Sequence, residues 1–352
     1  MTQFASEQNA KPVLQSRSQP DGANKINNAK LERIKQTANR YEKKLMAGVV
    51  EPDRIHTTFN DVHAPSETKD ALRTITSLQL TRPDAFQYGV LAHNQLSGLL
   101  LYGPPGTGKT LFAKAVAKES GATVLEVSGS SVNEMYVGES EKNVGAIFSL
   151  ARKLSPCIVF IDEADAIFAS RSGGRHRVSH REIINQFLKE WDGMEGANVF
   201  VMVATNRPFD MDDAVMRRLP RKMLMDLPTE EGREQILRIL LKNEALDDSV
   251  SLTEFASKTA FYSGSDLKNL CVAAAMACVK QEPETSEKRV LKKGHFETAI
   301  AEISASVSED MSSVQAIRKF DEQYGDRRGR RQKTSLGFMG DAPTESSVRI
   351  RG

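Results

Sequence analysis

The chain contains 352 residues, of which 39% are hydrophobic and 27% are charged. This composition is typical of soluble globular proteins and excludes collagen-like, disulfide-scaffold and wholly disordered chains. The 48 Lys and Arg residues nearly balance the 46 Asp and Glu residues, so the net charge of +2 gives no strong signal for nucleic acid or an anionic membrane.

The N-terminal region is polar. Residues 1–29 are rich in Gln, Asn, Ser and Ala without periodicity, which predicts a disordered tail. Residues 30–58 are predicted to form a helical linker, in which Gly48 ends a helix-prone stretch and Pro52 begins an irregular one. The chain lacks an apolar run of the ~18 residues that a membrane helix needs. Its N-terminus also lacks the apolar core of a secretory signal, so we expect no membrane span in this chain and no secretion.

Residues 59–228 alternate short apolar runs with helical stretches. The apolar runs are Leu99–Tyr102, Val124–Val127, Ile158–Ile161, Phe200–Val203 and Met223–Leu227. The helical stretches include Lys109–Ser120, Glu139–Leu154 and His180–Trp191. Runs that are apolar throughout indicate strands buried on both faces, which is typical of a parallel sheet covered by helices. We therefore predict a large α/β domain with helices on both faces of a parallel sheet.

After Pro228 the pattern becomes helical. Helices are predicted over residues 230–243, 253–260, 264–281 and 292–304. The sequence Ser263-Gly-Ser-Asp266 predicts a capping box at the start of the third of these. We therefore predict a small all-helical domain over residues 229–305, a C-terminal helix over 306–324 and a basic disordered tail over 325–352.

The strongest motif is Gly103-Pro-Pro-Gly-Thr-Gly-Lys-Thr110, which follows a predicted strand and begins a predicted helix. This context is typical of the phosphate-binding loop of a P-loop NTPase, whose glycines let backbone N–H groups surround the phosphates. Lys109 is placed to neutralise phosphate charge, and Thr110 offers a hydroxyl to Mg²⁺. The predicted nucleotide-binding residues of this stretch are Pro105, Gly106, Thr107, Gly108, Lys109, Thr110 and Leu111.

Two carboxylates end the apolar run that follows, in Val159-Phe-Ile-Asp-Glu163. An Asp-Glu pair at the end of a strand is often only a strand end. In a chain that also contains the phosphate-binding loop, Asp162 is predicted to hold Mg²⁺ and Glu163 to polarise the water that attacks the γ-phosphate.

Three further polar residues are candidates for the same chemistry. Asn206 ends the next apolar run, where ligands bind in open α/β sheets, and it is predicted to orient the attacking water. By itself, an asparagine at such a position is more often a turn-forming residue. Arg217 and Arg218 are predicted to act as an arginine finger toward the nucleotide of a neighbouring subunit, and the alternative is a solvated basic helix end.

Several motifs occur together in a specific order: FNDV, YGPPGTGKT, YVGESEKNV, IVFIDEADAIF, VATNRP, the arginine pair and YSGSDLKNL. In this order and spacing the chain resembles the AAA ATPases over about Phe59 to Tyr324. Within them it resembles the clade that contains katanin, spastin, the vacuolar-sorting ATPase and the protein-extracting translocase of the mitochondrial outer membrane. The stretch from AKESGA to ARKLSP is most similar to the translocase branch.

The resemblance implies roles for residues that the motifs alone do not assign. Asp61, Val62 and His63 fall where the family's backbone touches adenine, and because the family usually has glycine in place of His63, this side chain is expected to point away. Gly264 and Ser265 match the lid segment beside the nucleotide.

The resemblance also implies a central pore. Tyr136 and Val137 match the pore loop, where an aromatic side chain grips the substrate polypeptide. The translocase branch usually has two aromatic residues there, and Val137 replaces the second. Without the family context, ordinary packing of Tyr136 is the simpler interpretation.

These observations predict an ATPase that uses ATP and Mg²⁺, forms a homohexamer and threads polypeptide substrates through its pore. The expected location is the cytoplasmic face of a membrane, with mitochondria as the associated organelle. Microtubule severing is the alternative within the same enzyme class. A nucleotide-gated scaffold without turnover is the alternative from another class, and the presence of Glu163 and the arginine pair disfavours it.

Overall fold

The computed structural model describes residues 22–64, 66–77, 80, 85, 88–89, 98–129, 140–169, 177–194, 197–281, 289–308 and 311–325. Within these ranges the chain forms a six-stranded sheet with helices on both faces, followed by a helical region that contains a two-stranded sheet. The predicted α/β fold is therefore confirmed. In the described ranges, the helices are all too short or too polar to cross a membrane.

The six-stranded sheet has the strand order β1-β3-β4-β5-β2-β6. Its strands are β1 (Val49–Val50), β2 (Gly98–Tyr102), β3 (Thr123–Ser128), β4 (Cys157–Asp162), β5 (Val199–Thr205) and β6 (Arg221–Leu224). All neighbouring strands are parallel except β1, which pairs with β3 in the antiparallel direction. The last strand was expected to reach Leu227, but it ends at Leu224. Beyond it, the N–H of Leu227 donates a hydrogen bond to the side chain of Asp226.

Both faces of the sheet are buried, as the continuous apolar runs predicted. Successive residues of β2 alternate between two core clusters, with Leu99 and Leu101 on one face and Leu100 and Tyr102 on the other. Because each strand contributes large side chains to both cores, the sheet is held rigidly between two layers of helices. The carboxyl ends of β4, β5 and β2 consequently meet at one fixed edge.

The helices of the described ranges surround this sheet and form the C-terminal region. They are α1 (Gly22–Thr37), α2 (Arg40–Leu45), α3 (Ser66–Leu72), α4 (Lys109–Ser120), α5 (Ser140–Leu154), α6 (Asp165–Phe168), α7 (Arg177–Asp192), α8 (Asp213–Arg218), α9 (Glu230–Leu240), α10 (Leu252–Lys258), α11 (Gly264–Gln281), α12 (Lys293–Glu302) and α13 (Ser312–Tyr324).

The structure corrects the predicted start of the N-terminal helix. α1 begins at Gly22, so residues 22–29, which were expected to be disordered, are helical. Lys30 donates a hydrogen bond to the carbonyl of Ser155, and Ile34 is buried in the sheet core. These tertiary contacts stabilise a helix whose own sequence is polar, which a propensity argument does not detect.

The C-terminal region contains one feature that the helical pattern did not predict. Two short strands, β7 (Ala245–Leu246) and β8 (Val290–Leu291), pair in parallel, so this region is not entirely helical. Strands of two residues are too short to show an alternating pattern. The C-terminal helix was expected from residue 306, but it begins only at Ser312.

Candidate active site

The loop after β2 depends on glycine at two positions, where the backbone has positive φ and lies close to other residues. Gly103 has φ of 151°, and an added Cβ would lie 2.1 Å from the carbonyl oxygen of Met225. Gly106 has φ of 75°, and an added Cβ would lie 2.5 Å from Oγ of Ser263. Side chains at these positions would collide or strain the backbone. The motif glycines are therefore required by the shape of the loop.

Lys109 is the first residue of α4 and is only 8% exposed. Its Nζ donates hydrogen bonds to the carbonyl oxygens of Gly103, at 3.0 Å, and Pro104, at 2.7 Å. Burial lowers the pKa of Lys109 to about 8, while the charges of Asp162 and Asp165 oppose this shift. The ammonium group is thus held over the loop, at the N-terminus of a helix whose dipole favours an anion there.

Thr110 and Asp162 meet across the sheet edge, as the sequence predicted. Thr110 Oγ1 donates a hydrogen bond of 2.6 Å to Asp162 Oδ2, and the N–H of Glu163 donates one of 2.9 Å to Asp162 Oδ1. A hydroxyl and a carboxylate are hard oxygen donors of the kind that Mg²⁺ prefers. This donor pair therefore fits a magnesium ion that is shared with phosphate oxygens.

Glu163 is exposed and has φ of 50°, which is unusual for a residue other than glycine. Three hydrogen bonds fix this local backbone: the N–H of Glu163 to Asp162, the N–H of Ala164 to Ala204, and the N–H of Ala166 to the carbonyl of Glu163. Residues held in such a conformation concentrate at active sites. The turn directs the Glu163 carboxylate away from the core at the sheet edge.

Asn206 follows β5 directly, on the strand that neighbours β4. Its Oδ1 atom is buried without a hydrogen-bond partner among the described residues. A buried polar atom without a partner costs about 1–3 kcal/mol, so a ligand or a water molecule that donates to it would be favoured. The predicted role of Asn206 in orienting the attacking water stays a prediction.

A pair of residues that the motif analysis did not single out joins the ends of these strands. Thr205 Oγ1 donates a hydrogen bond of 2.7 Å to Asp165 Oδ1 and accepts one of 3.0 Å from the N–H of Arg207. Thr205 is 1% exposed, so this link is shielded from solvent. This hydrogen bond fixes the spacing between the ends of β4 and β5. The sequence shows both polar residues, but it does not indicate that they pair.

The start of α11 lies against the loop. The N–H of Ser265 donates a hydrogen bond of 3.1 Å to the carbonyl oxygen of Gly106, next to Gly264. The predicted capping box is confirmed, since Ser263 donates to Asp266 Oδ2 and the N–H of Asp266 donates to Ser263 Oγ. Burial raises the pKa of Asp266, but the hydrogen bonds that it accepts outweigh burial and lower the pKa overall.

The segment Asp61-Val-His63 connects the sheet domain with α9 and the residues after it. Asp61 accepts hydrogen bonds from the N–H of Thr58 and from Lys242, which lower its pKa to about 2. Val62 is buried in the core cluster that also contains Phe112 of α4. The ring of His63 lies against Gly232, so the side chain contacts the first turn of α9. Burial, followed by the charge of Lys69, lowers the pKa of His63.

The two arginines of α8 differ in their surroundings. Arg218 donates two hydrogen bonds of 2.8 Å to the carboxylate of Asp192, which lower the pKa of Asp192. Arg217 is exposed and makes no hydrogen bond or ion pair within the described ranges. Neither side chain is bonded to the phosphate-binding loop of its own chain. The structure therefore does not bring them into the cluster formed by Lys109, Thr110 and Asp162.

The remaining candidates belong to the phosphate-binding loop and to the predicted pore loop. Pro105 and Leu111 are exposed, Leu111 at 50%, while Thr107 and Gly108 are partly buried within the loop. Thr107 Oγ1 donates a hydrogen bond of 3.0 Å to the carbonyl of Pro104. Tyr136 and Val137 lie outside the described residues. The assigned functions of all these residues remain predictions.

Comparison with known families identifies two segments of the chain. Residues 99–227 match the family described as "ATPase family associated with various cellular activities (AAA)". Residues 249–293 match the family described as "AAA+ lid domain".

Two curated relatives are similar over much of the chain. The outer mitochondrial transmembrane helix translocase of Homo sapiens is 40% identical over 246 residues, which cover 69% of this chain and 68% of that protein. Spastin of Xenopus tropicalis is 40% identical over 279 residues, which cover 76% of this chain and 45% of spastin.

Solved structures share the fold. The crystal structure of the FIGL-1 AAA domain in complex with ADP is 31% identical, has a TM-score of 0.67 and covers 80% of this chain and 97% of that one. A structure titled "Structural Basis for Katanin Self-Assembly" is 26% identical, has a TM-score of 0.65 and covers 81% of this chain and 97% of that one.

Proposed function

The chain belongs to the AAA ATPase family, and on this premise we propose that it is a ring-forming motor that hydrolyses ATP to draw polypeptides through a central pore. The observation that carries the ATPase part is the cluster formed by Lys109 above the loop and the 2.6 Å contact between Thr110 and Asp162. This cluster provides positive charge and oxygen ligands where the phosphates of ATP and Mg²⁺ are expected.

The proposed mechanism divides the work among the residues at the sheet edge. The backbone N–H groups of the loop and the ammonium group of Lys109 bind the β- and γ-phosphates, and Gly264 and Ser265 cover them from the lid side. Thr110 and Asp162 would hold Mg²⁺, which would supply positive charge to the phosphate oxygens. Glu163 accepts the proton of the attacking water, which the Asn206 amide orients.

Adenine is proposed to lie beside the Asp61-Val-His63 backbone. The contact between the His63 ring and Gly232 supports this placement, because it engages the side chain with α9. The ion pair between Asp61 and Lys242 joins this segment to the residues that follow α9. The proposed division of the chain places a large domain at residues 59–228, a lid at 229–305 and a C-terminal segment at 306–324, of which Ser312–Tyr324 is helical.

A homohexamer is proposed because the exposed Arg217 has no partner within the described ranges of its own chain. An arginine that reaches the γ-phosphate of the neighbouring subunit would stabilise the transition-state charge. The similarity to a structure titled for katanin self-assembly supports a ring. The similarity to outer mitochondrial translocases supports association with mitochondria and polypeptide substrates.

The pKa of Lys109 predicts how ATP binding depends on pH. Because phosphate charge favours the ammonium form, bound ATP should raise the pKa of Lys109 above its value of about 8 in the free protein. Binding at about pH 8.5 should therefore take up a proton, and ATP affinity should fall above this pH by up to about tenfold per unit. Calorimetric titration in two buffers of different ionisation enthalpy measures this uptake.

The control for this experiment is Lys109→Arg, whose guanidinium group stays protonated at this pH. The measured enthalpy of ATP binding to this variant should be the same in both buffers, because no proton is taken up. Tight binding by the wild-type protein without proton uptake at this pH would contradict the proposed contact between Lys109 and the phosphates.

The pore is tested by Tyr136→Ala. ATPase activity should stay within a few-fold of wild type, because the pore loop does not contact the phosphates in this proposal. Unfolding of a fluorescent domain fused to a substrate should fall steeply, because alanine is too small to wedge between substrate side chains. Tyr136→Phe and Tyr136→Trp should retain unfolding, since the grip depends on aromatic bulk.

A matched control is Tyr88→Ala, which removes the same side chain from a surface position that is 74% exposed. This control should alter neither the ATPase rate nor unfolding. If Tyr136→Ala unfolds the fused domain at the wild-type rate per ATP, Tyr136 is a packing residue and the threading proposal is wrong.

Microtubule severing is the second candidate function, because the similarity to spastin covers 76% of this chain. It would use the same ATPase site and pore. Fluorescence microscopy of stabilised microtubules with wild-type protein and ATP separates the two activities, since only a severing enzyme shortens the filaments.

A further inference from the structure

A buried hydrogen bond ties the C-terminal helix to the strand that leads into the phosphate-binding loop. The hydroxyl of Tyr102 donates a hydrogen bond of 2.6 Å to Asp321 Oδ1, although the two residues are 219 positions apart. Tyr102 is fully buried and Asp321 is 9% exposed. Hydrogen bonds to a carboxylate are stronger than neutral ones, and shielding from water strengthens them further.

Apolar packing places α13 in the core of the sheet domain, although this helix follows the lid in the sequence. Phe320 meets the Tyr102 ring edge-on, with 5.1 Å between the ring centroids. Ile317 and Phe320 belong to the same core cluster as Leu100 and Tyr102. The hydrogen bond to Asp321 therefore lies within an interface that already holds the helix against β2.

The segment before α13 is bonded to the lid. Ser306 donates hydrogen bonds to Asp266 Oδ2 from both its N–H and its hydroxyl, and Tyr262 donates to the carbonyl of Ile303. Asp266 belongs to the capping box beside Ser265, whose N–H donates to Gly106. Residues 303–306 are therefore attached to the lid, whereas α13 is attached to β2.

The path from Asp321 to the loop is short. Tyr102 precedes Gly103 directly, and the Tyr102 carbonyl accepts a hydrogen bond of 2.7 Å from the N–H of Met225. The Gly103 carbonyl accepts a hydrogen bond from Lys109 Nζ. Because Gly103 is the next residue along the chain, we expect a displacement of Tyr102 to move the carbonyl that holds Lys109.

We propose that Asp321 is a positioning residue for nucleotide binding, and that its hydrogen bond with Tyr102 couples docking of the C-terminal helix to the shape of the phosphate-binding loop. This inference rests on the proposed ATPase function. By linkage, if docking of α13 improves the affinity of the loop for nucleotide, bound nucleotide must stabilise docking of α13 by the same factor. If the hydrogen bond only joined two parts of the fold, docking of α13 would not change nucleotide affinity and nucleotide would not change docking.

The test measures both directions of the coupling with ADP as the probe. In the wild-type protein, ADP should slow amide hydrogen exchange in residues 312–324 by about tenfold. Tyr102→Phe removes only the hydroxyl, and it should raise the Kd for ADP by about tenfold and abolish the slowing. Asp321→Asn keeps an oxygen that accepts from Tyr102, so it should retain most of the coupling.

The matched control is Ile317→Val, which weakens the packing of α13 without changing the hydrogen bond. It should speed exchange in residues 312–324 in the absence of nucleotide, while ADP should still slow that exchange by the wild-type factor. Equal loss of the ADP effect in Ile317→Val and Tyr102→Phe would overturn the inference, because packing alone would then carry the coupling.

Two other outcomes have distinct meanings. If the wild-type protein binds ADP but exchange in residues 312–324 does not change, the inference is wrong while the ATPase proposal stands. If the wild-type protein binds neither ADP nor ATP, the proposed function fails and the inference fails with it.

Discussion

Replacing Glu163 with glutamine is expected to reduce ATP turnover by about 10²–10⁴-fold, the range that a general base contributes. The amide has nearly the same size as the carboxylate, but it does not accept a proton from the attacking water. ATP binding should be retained, because Lys109, Thr110 and Asp162 are unchanged and their hydrogen bonds do not involve the Glu163 side chain. Phosphate release in the steady state and titration with ATP measure the two quantities.

The backbone of Glu163 should tolerate this change. Its φ of 50° is held by hydrogen bonds from the backbone N–H groups of Glu163, Ala164 and Ala166, and these bonds do not involve the Glu163 side chain. Glu302→Gln, on the exposed surface of α12, is the matched control and should leave turnover unchanged. If turnover by Glu163→Gln stays within about threefold of wild type, roughly 0.65 kcal/mol of barrier, Glu163 does not activate water.

The features that could be predicted from the sequence have local causes. Continuous apolar runs predicted the buried parallel strands, because a strand covered on both faces cannot place polar side chains on either. The glycines of residues 103–108 predicted a phosphate-binding loop whose backbone N–H groups are free of side-chain obstruction, and the structure places Gly103 and Gly106 where a Cβ would collide. The contact between Thr110 and Asp162 followed from two motifs at the ends of parallel strands.

The features that could not be predicted depend on contacts between distant residues. Residues 22–29 are helical within α1, which is anchored by Ile34 and Lys30 on the sheet domain. The link from Tyr102 to Asp321 joins residues 219 positions apart, and neither residue type indicates the other. Likewise, the difference between Arg217 and Arg218 depends on Asp192 of another helix, so the sequence assigned both the same role.

Arg217→Ala is expected to slow hydrolysis on the order of 10³-fold, the lower part of the range for removal of an arginine finger. ATP affinity should change little, because Arg217 is exposed and makes no bond to the loop of its own chain. Arg218→Ala should also bind ATP nearly normally and hydrolyse it poorly, but with a smaller loss. Arg218 must leave its two hydrogen bonds with Asp192 before it reaches a neighbour, so it contributes less to the transition state.

Mixing two inactive variants tests whether the finger acts on the neighbouring subunit. An Arg217→Ala subunit retains Glu163, and a Glu163→Gln subunit retains Arg217, so an interface between them in one orientation contains both groups. With random mixing at equal amounts, roughly one interface in four should be complete. ATPase activity of the mixture should therefore rise well above that of either variant alone. The control mixes Glu163→Gln with a subunit that carries both Glu163→Gln and Arg217→Ala. Because every subunit then lacks Glu163, this mixture contains no complete interface and should stay inactive. If mixed oligomers form but hydrolysis does not recover, Arg217 does not complete the site of a neighbour, and the proposal of a shared active site is wrong.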